Sequence, residues 1–258
     1  MSSTLHAEWT KLRTSQSTWW LLIAAVALMI GLSAVVDAGA RCGSLGCGQD
    51  PARTSLAGIY VGQVLVAISS VTLISSEFGT GMIRTTLTAM PRRAQVLTAK
   101  AATAAGWALA AGVAGVTGSV VVGRIILPGE GFTGAHGYPP LSVSDPAMLR
   151  AAVGSVMYLV LISLLSLGVA TAVRDSAVGI GVVLGLLFLF PLILVMVNNP
   201  DWRQHLEQVG PMTAGLAIQA TVNLGQQPIS PWAGLGVLAL WSAGALGVGA
   251  VTLQLRDP

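Results

Sequence analysis

Charge is what this chain has least of. Asp, Glu, Lys and Arg make up 9% of its 258 residues, against about a quarter in an average soluble protein. A soluble domain of this length would lack the polar side chains to cover its surface, and the composition also excludes a disordered chain or a coiled coil. Cysteine is scarce, with two residues, so a disulfide-rich scaffold is excluded as well. Lysine occurs only as Lys11 and Lys100. A phosphate-binding P-loop needs its Lys in Gly-x-x-x-x-Gly-Lys-Ser/Thr, where the ammonium reaches the phosphates. Lys11 follows Trp9-Thr10 and Lys100 follows Thr98-Ala99, so neither fits. If a nucleotide energises this protein, another polypeptide brings the ATPase.

What the chain has in abundance is apolar sequence: 53% of residues are hydrophobic and the mean hydropathy is +0.76. That combination reads as an integral membrane protein. The apolar residues run continuously rather than alternating, which favours an all-α helical bundle over a barrel. Six runs are long enough to span: Trp19–Val36, Leu56–Ser75, Ala101–Leu127, Ala147–Val173, Ala177–Val197 and Trp232–Leu253. They predict a single transmembrane domain over residues 1–258. The third and fourth exceed what a bilayer needs and must tilt or protrude. Gly112, Gly115 and Gly118, and Gly244 with Gly247, are expected packing faces, because small residues let helices approach closely.

The short loops set an orientation. With the N-terminus inside, eight Lys and Arg fall on the cytoplasmic side (positions 11, 13, 84, 92, 93, 100, 174 and 256) and five on the other (41, 53, 124, 150 and 203). The bias places both termini in the cytoplasm. No small-residue cleavage site precedes the first span, which is therefore expected to stay as an anchor. Cys42 and Cys47 share the first outer loop with Gly43, Gly46 and Gly48. Outside the cell a disulfide is chemically permitted and is the expectation, with free thiols as the alternative.

Three segments are not spans. Residues 1–18 place Leu5, Trp9 and Leu12 at helical spacing, opposite Glu8, Lys11 and Arg13, which predicts a short interfacial helix. The loop 76–93 carries Ile83, Leu87 and Met90 on one helical stripe, flanked by Glu77 and Arg84 and closed by Pro91-Arg92-Arg93. Arg92 and Arg93 alone would be a basic surface turn. The apolar stripe beside them predicts a helix that docks on a cytoplasmic partner. The segment 198–231 contains an apolar, glycine-rich run from Val209 to Val222, too short to span, which reads as a helix pair or re-entrant element at the outer end of the bundle. Asp201, Arg203, His205 and Glu207 beside it read as a solvated rim.

Catalytic and metal-binding patterns are missing. His6, His136 and His205 are far apart, with no His-Glu-x-x-His and no Gly-x-Ser-x-Gly. Asp37, at the outer end of the first span, is the nearest acid to the apolar cores and reads either as functional or as an interfacial cap. No cofactor, metal or nucleic acid is expected on this chain.

Several stretches resemble ABC transporter type-2 permeases of actinobacterial kind. The opening Leu5-His-Ala-Glu-Trp-Thr-Lys-Leu-Arg13 running into Ser17-Thr-Trp-Trp-Leu21 looks like that family's start. The loop Glu77-x-x-x-Gly81-x-Ile83-Arg84-x-x-Leu87-x-x-x-Pro91-Arg92-Arg93 is similar to its coupling loop, and Pro231-Trp-Ala-Gly234, Trp241 and Leu255-Arg-Asp257 fit its end. The resemblance implies six helices per protomer, an interfacial elbow helix, and re-entrant helices before the last span. It also implies a second permease copy or paralogue and two ATPase subunits that hold the ATP and Mg. The chain would then be the membrane subunit of an exporter for an amphipathic or hydrophobic substrate such as a drug, peptide or lipid, which would link it to drug or antibiotic resistance. A self-contained secondary carrier, or an intramembrane enzyme, is the alternative class. The first needs a buried charge and the second a polar cluster in the apolar core.

Overall fold

The computed structural model describes residues 16–41, 49–79, 93–133, 141–142 and 144–255. Among them, the chain folds into helices and short 3-10 turns with no strand. The long helices are α1 (Gln16–Gly39), α3 (Ile59–Gly79), α4 (Arg93–Ile126), α5 (Pro146–Val173), α6 (Ser176–Met196) and α9 (Pro231–Leu255). All six are long and apolar enough to cross a membrane. Short helices fill the connections: α2 (Pro51–Ser55), α7 (Pro200–Val209) and α8 (Pro211–Leu216).

Local sequence explains where several of these begin. Asp50, Asp145 and Asn199 each precede a proline, and each side chain accepts a hydrogen bond from a backbone N–H of the first turn. An Asx cap followed by Pro at the first helical position satisfies an orphan donor and sets φ at once. Asp175 caps α6 in the same way, accepting from Val178 N–H at 2.8 Å. The turn between α5 and α6 is held by Arg174 in a left-handed conformation, φ 63°.

Two helix ends differ from the sequence expectation. The second span runs on to Gly79, so Glu77 belongs to its last turn rather than to a loop. The third begins at Arg93 instead of Ala101 and is 34 residues long. At 1.5 Å per residue it extends about 51 Å, well beyond the ~30 Å hydrocarbon core.

α5 is the hub, buried along Ala151, Tyr158, Leu159, Ile162, Leu165 and Leu167 and flanked by α3, α4, α6 and α9. α1 lies on the outside against α4 and α3. Glycine decides how closely these pairs meet. A Cβ on Gly115 or Gly118 of α4 would run into Met29 or Ile30 of α1, and one on Gly112 would touch Val156 of α5. Gly244 and Gly247 are not used for packing within this chain: among the described residues, a Cβ on either meets nothing within 4 Å. On α9 the close approaches are instead made by Gly249, against Gly168 and Thr171 of α5, and by Gly234, against Ala214 of α8.

Buried hydroxyls and one amide tie the helices across their apolar faces. Ser33 donates to Ser119 and accepts from the Gly58 N–H, at 3.1 and 3.0 Å. Ser70 and Ser163 share a bond of 2.8 Å between α3 and α5. The Tyr158 hydroxyl donates to Gln63, whose amide in turn reaches the Met212 sulfur. Such bonds keep buried polar groups satisfied and fix the rotation of each helix.

Candidate functional site

The bundle has two ends. At one, α3 stops and α4 starts on either side of residues 80–92, and α5, α6 and α9 also turn or finish. Ser75, Glu77 and Phe78 of α3 form the centre of this loop end. Glu77 is buried, and its carboxylate accepts from the Lys100 ammonium of α4 at 2.7 Å. Lys100 is 1% exposed, so the cation that the sequence reading places in a loop is a core residue. The lysine stem packs like an apolar side chain while the ammonium finds its counter-ion, which is how a run of Ala and Thr conceals it.

Next to this pair, the Arg174 guanidinium lies 5.3 Å from the centre of the Phe78 ring and donates to the Thr252 carbonyl of α9 at 3.0 Å. The Ser176 hydroxyl donates to Ser75 at 2.7 Å. The last turn of α3 is thereby joined to α4, to the α5–α6 turn and to the end of α9. A buried ion pair is often no more stabilising than an apolar pair of the same shape, because desolvating both charges offsets their attraction. A non-glycine residue at positive φ costs about 1 kcal/mol, and Arg174 accepts that cost where Gly would not.

At the opposite end, α7 and α8 fold back toward the bundle. The rim of α7 is solvated as expected, with Asp201, Arg203 and His205 exposed and Arg203 bonded to Glu207 at 3.3 Å. α8 and the 3-10 turn Ala217–Gln219 are buried, wedged against α5 and α9. Asp50 holds the exit of this wedge. Besides capping α2, it accepts from the Thr221 hydroxyl at 2.6 Å and from the Thr221 and Val222 N–H groups at 2.5 and 3.1 Å. Arg53 donates to Gln227 at 2.8 Å and Arg150 to the Ala220 carbonyl. Asp37, two residues from the end of α1, is fully buried, and among the described residues neither oxygen has a hydrogen-bond partner. Gly123 makes room for it, since a Cβ there would stand 3.1 Å from Oδ2.

Between the two ends, α5, α6 and α9, with Val209 of α7, line an open groove of about 660 Å³, within the size range of small-molecule sites. Leu165, Val169, Val182, Leu186, Leu240 and Val248 line it, and its remaining lining residues are apolar too. Trp241 closes its outer end by donating to the Val209 carbonyl at 2.9 Å and packing edge-on to Phe190. Gly244 contributes open space to its wall. Sequence reasoning missed the groove, and only the composition of the three helices hinted at it.

Of the residues singled out in the sequence, Glu77 lies in the loop-end cluster and Arg93 opens α4. Gly81, Ile83, Arg84, Leu87, Met90, Pro91 and Arg92 lie outside the described residues, as do Leu5, Trp9 and Leu12 and the two cysteines, Cys42 and Cys47.

An all-α bundle of six membrane-length helices defines a multi-pass membrane protein. Residues 4–198 match the family model described as ABC-2 family transporter protein, and the chain belongs to that family. It is accordingly a permease subunit of an ABC transporter, a transport component rather than a catalyst, whose family works with ABC ATPase components. No curated protein matches the chain.

Proposed function

We propose that this chain is the membrane-spanning permease of an ABC exporter that moves an amphipathic or hydrophobic substrate across the cytoplasmic membrane. Two copies, or this chain and a paralogue, pair with two ATPase subunits, and export is the direction that the family resemblance implies. The stripe Ile83, Leu87 and Met90 docks on the ATPase and receives its motion. Closure of the ATPases on ATP then rearranges the helices around the substrate.

The groove between α5, α6 and α9 carries the substrate assignment. A wall of Leu, Val and Trp offers dispersion and burial of apolar surface, roughly 25 cal/mol per Å². It offers no partner for a sugar or an ion, which would lose their hydration without compensation. The substrate therefore arrives with a hydrophobic body, out of the lipid. A secondary carrier is disfavoured because the buried carboxyl and ammonium groups stand near the ends of the bundle, away from its middle: Lys100 is matched by Glu77 at one end, and Asp37 is in the last turn of α1 at the other.

Filling the groove tests this reading. Gly244→Trp places an indole in space that nothing occupies within 4 Å of the new Cβ. In proteoliposomes containing the permease and its ATPase, ATP-driven transport of a neutral hydrophobic fluorescent probe should fall at least about tenfold. Co-purification of the ATPase should be unchanged. Transport at the wild-type rate in Gly244→Trp would remove the groove from the substrate path.

A further inference from the structure

We propose that the polar cluster at the loop end is the joint that carries movement of the end of α3 and the start of α4 to the groove, and that Arg174 is its positioning residue. This rests on the ATP-driven reading above.

The argument starts from what the cluster connects. Glu77 and Lys100 are the last turn of α3 and the early part of α4, the two stems of the loop. Their 2.7 Å bond makes the stems move together instead of sliding past one another. Phe78 is the next residue on α3, and Arg174 stacks on it while holding the Thr252 carbonyl of α9. Arg174 also terminates α5, and Ser176 at the start of α6 is bonded to Ser75. The three helices reached in this way, α5, α6 and α9, supply every lining residue of the groove except Val209.

A joint of this kind needs directional contacts, because apolar packing in a membrane lets helices slide at little cost, whereas charge-assisted bonds hold one geometry. Arg is suited to the central position, since its planar guanidinium can stack on an aromatic face and donate at its edge simultaneously. Its backbone conformation is one that Gly adopts freely. The side chain is therefore what holds Arg at this position.

That last point supplies a test that separates role from folding. Arg174→Gly relieves the left-handed backbone while deleting the guanidinium, so the helical turn is retained. The permease would carry spin labels on Val182→Cys in α6 and Leu240→Cys in α9, with Cys42 and Cys47 replaced by serine. It would be assembled with its ATPase in lipid, and the inter-label distance measured before and after vanadate trapping of the nucleotide. Trapping should shift the distance in the parent, and by a smaller amount in Arg174→Lys, which keeps the charge but loses the planar stack. The shift should be lost in Arg174→Gly and in Glu77→Gln, although trapped nucleotide is still retained. It should return when Glu77→Lys is combined with Lys100→Glu. An unchanged shift in Arg174→Gly, or no shift in the parent, overturns the inference. Solute flux, measured separately in the same proteoliposomes, judges the transport reading, so the two can fail independently.

Discussion

At Gly168 a single missing Cβ sets how α5 and α9 meet. A methyl group there would stand 2.5 Å from backbone atoms of Ala245 and Leu246. Backbone cannot rotate away as a side-chain tip can, so the helices would have to separate. Gly168→Ala should therefore destabilise the bundle by about 1–3 kcal/mol, the range for overpacking a close-packed core. Gly244→Ala adds the same methyl to the same pair of helices, but into open space, and helix propensity alone would make it neutral or slightly favourable. Thermal unfolding of the two variants in detergent checks this, with the midpoint falling for Gly168→Ala only. Equal midpoints would mean that α5 and α9 are not packed at Gly168 as described. The contrast shows why glycine spacing alone misleads: Gly244 and Gly247 read like a packing face, and only the placement of a neighbour distinguishes a contact from a groove wall.

Elements were legible in proportion to how much of their signal is local. The six apolar runs stand out because bilayer thickness dictates their length, and the bundle class follows from them. Helix ends were harder to read. α4 begins at Arg93 although Gln95, Thr98 and Lys100 lower its local hydropathy, because Lys100 meets Glu77 inside the bundle. The Asx-Pro starts at positions 50, 145 and 199 are legible by mechanism, yet Asp50's second role is not. Its oxygens hold Thr221 and Val222, 171 and 172 residues away, and no spacing rule encodes that. Asp50→Ala should release the segment after α8. Hydrogen bonds to a charged acceptor contribute roughly 1.5–3 kcal/mol each, so exchange of the Thr221 and Val222 amides should accelerate by about tenfold or more. The amides of α3 should keep their protection. Unchanged exchange at Thr221 would show that the wedge is held by packing alone.

For the whole molecule, the decisive relation is between the two ends of the bundle and the two sides of the membrane. Six crossings return the chain to the side on which it started, so α1 begins and α9 finishes at the loop end. The eight basic residues assigned to that side in the sequence, against five opposite, would orient it toward the cytoplasm. An ATPase can reach residues 80–92 only in that orientation, and the solvated rim of α7 must then face outward. Two exposed positions report on it. Ala94 lies in the first turn of α4, at the loop end, and Gln204 lies on α7. Each would be replaced singly by cysteine, with Cys42 and Cys47 changed to serine. Intact cells would be treated with a membrane-impermeant maleimide, then permeabilised and treated again. Gln204→Cys should label in intact cells, and Ala94→Cys only after permeabilisation. The reverse pattern would turn the bundle over and put residues 80–92 beyond the reach of any cytoplasmic ATPase. Labelling of both positions in intact cells would contradict six crossings between a loop end and a wedge end on opposite faces.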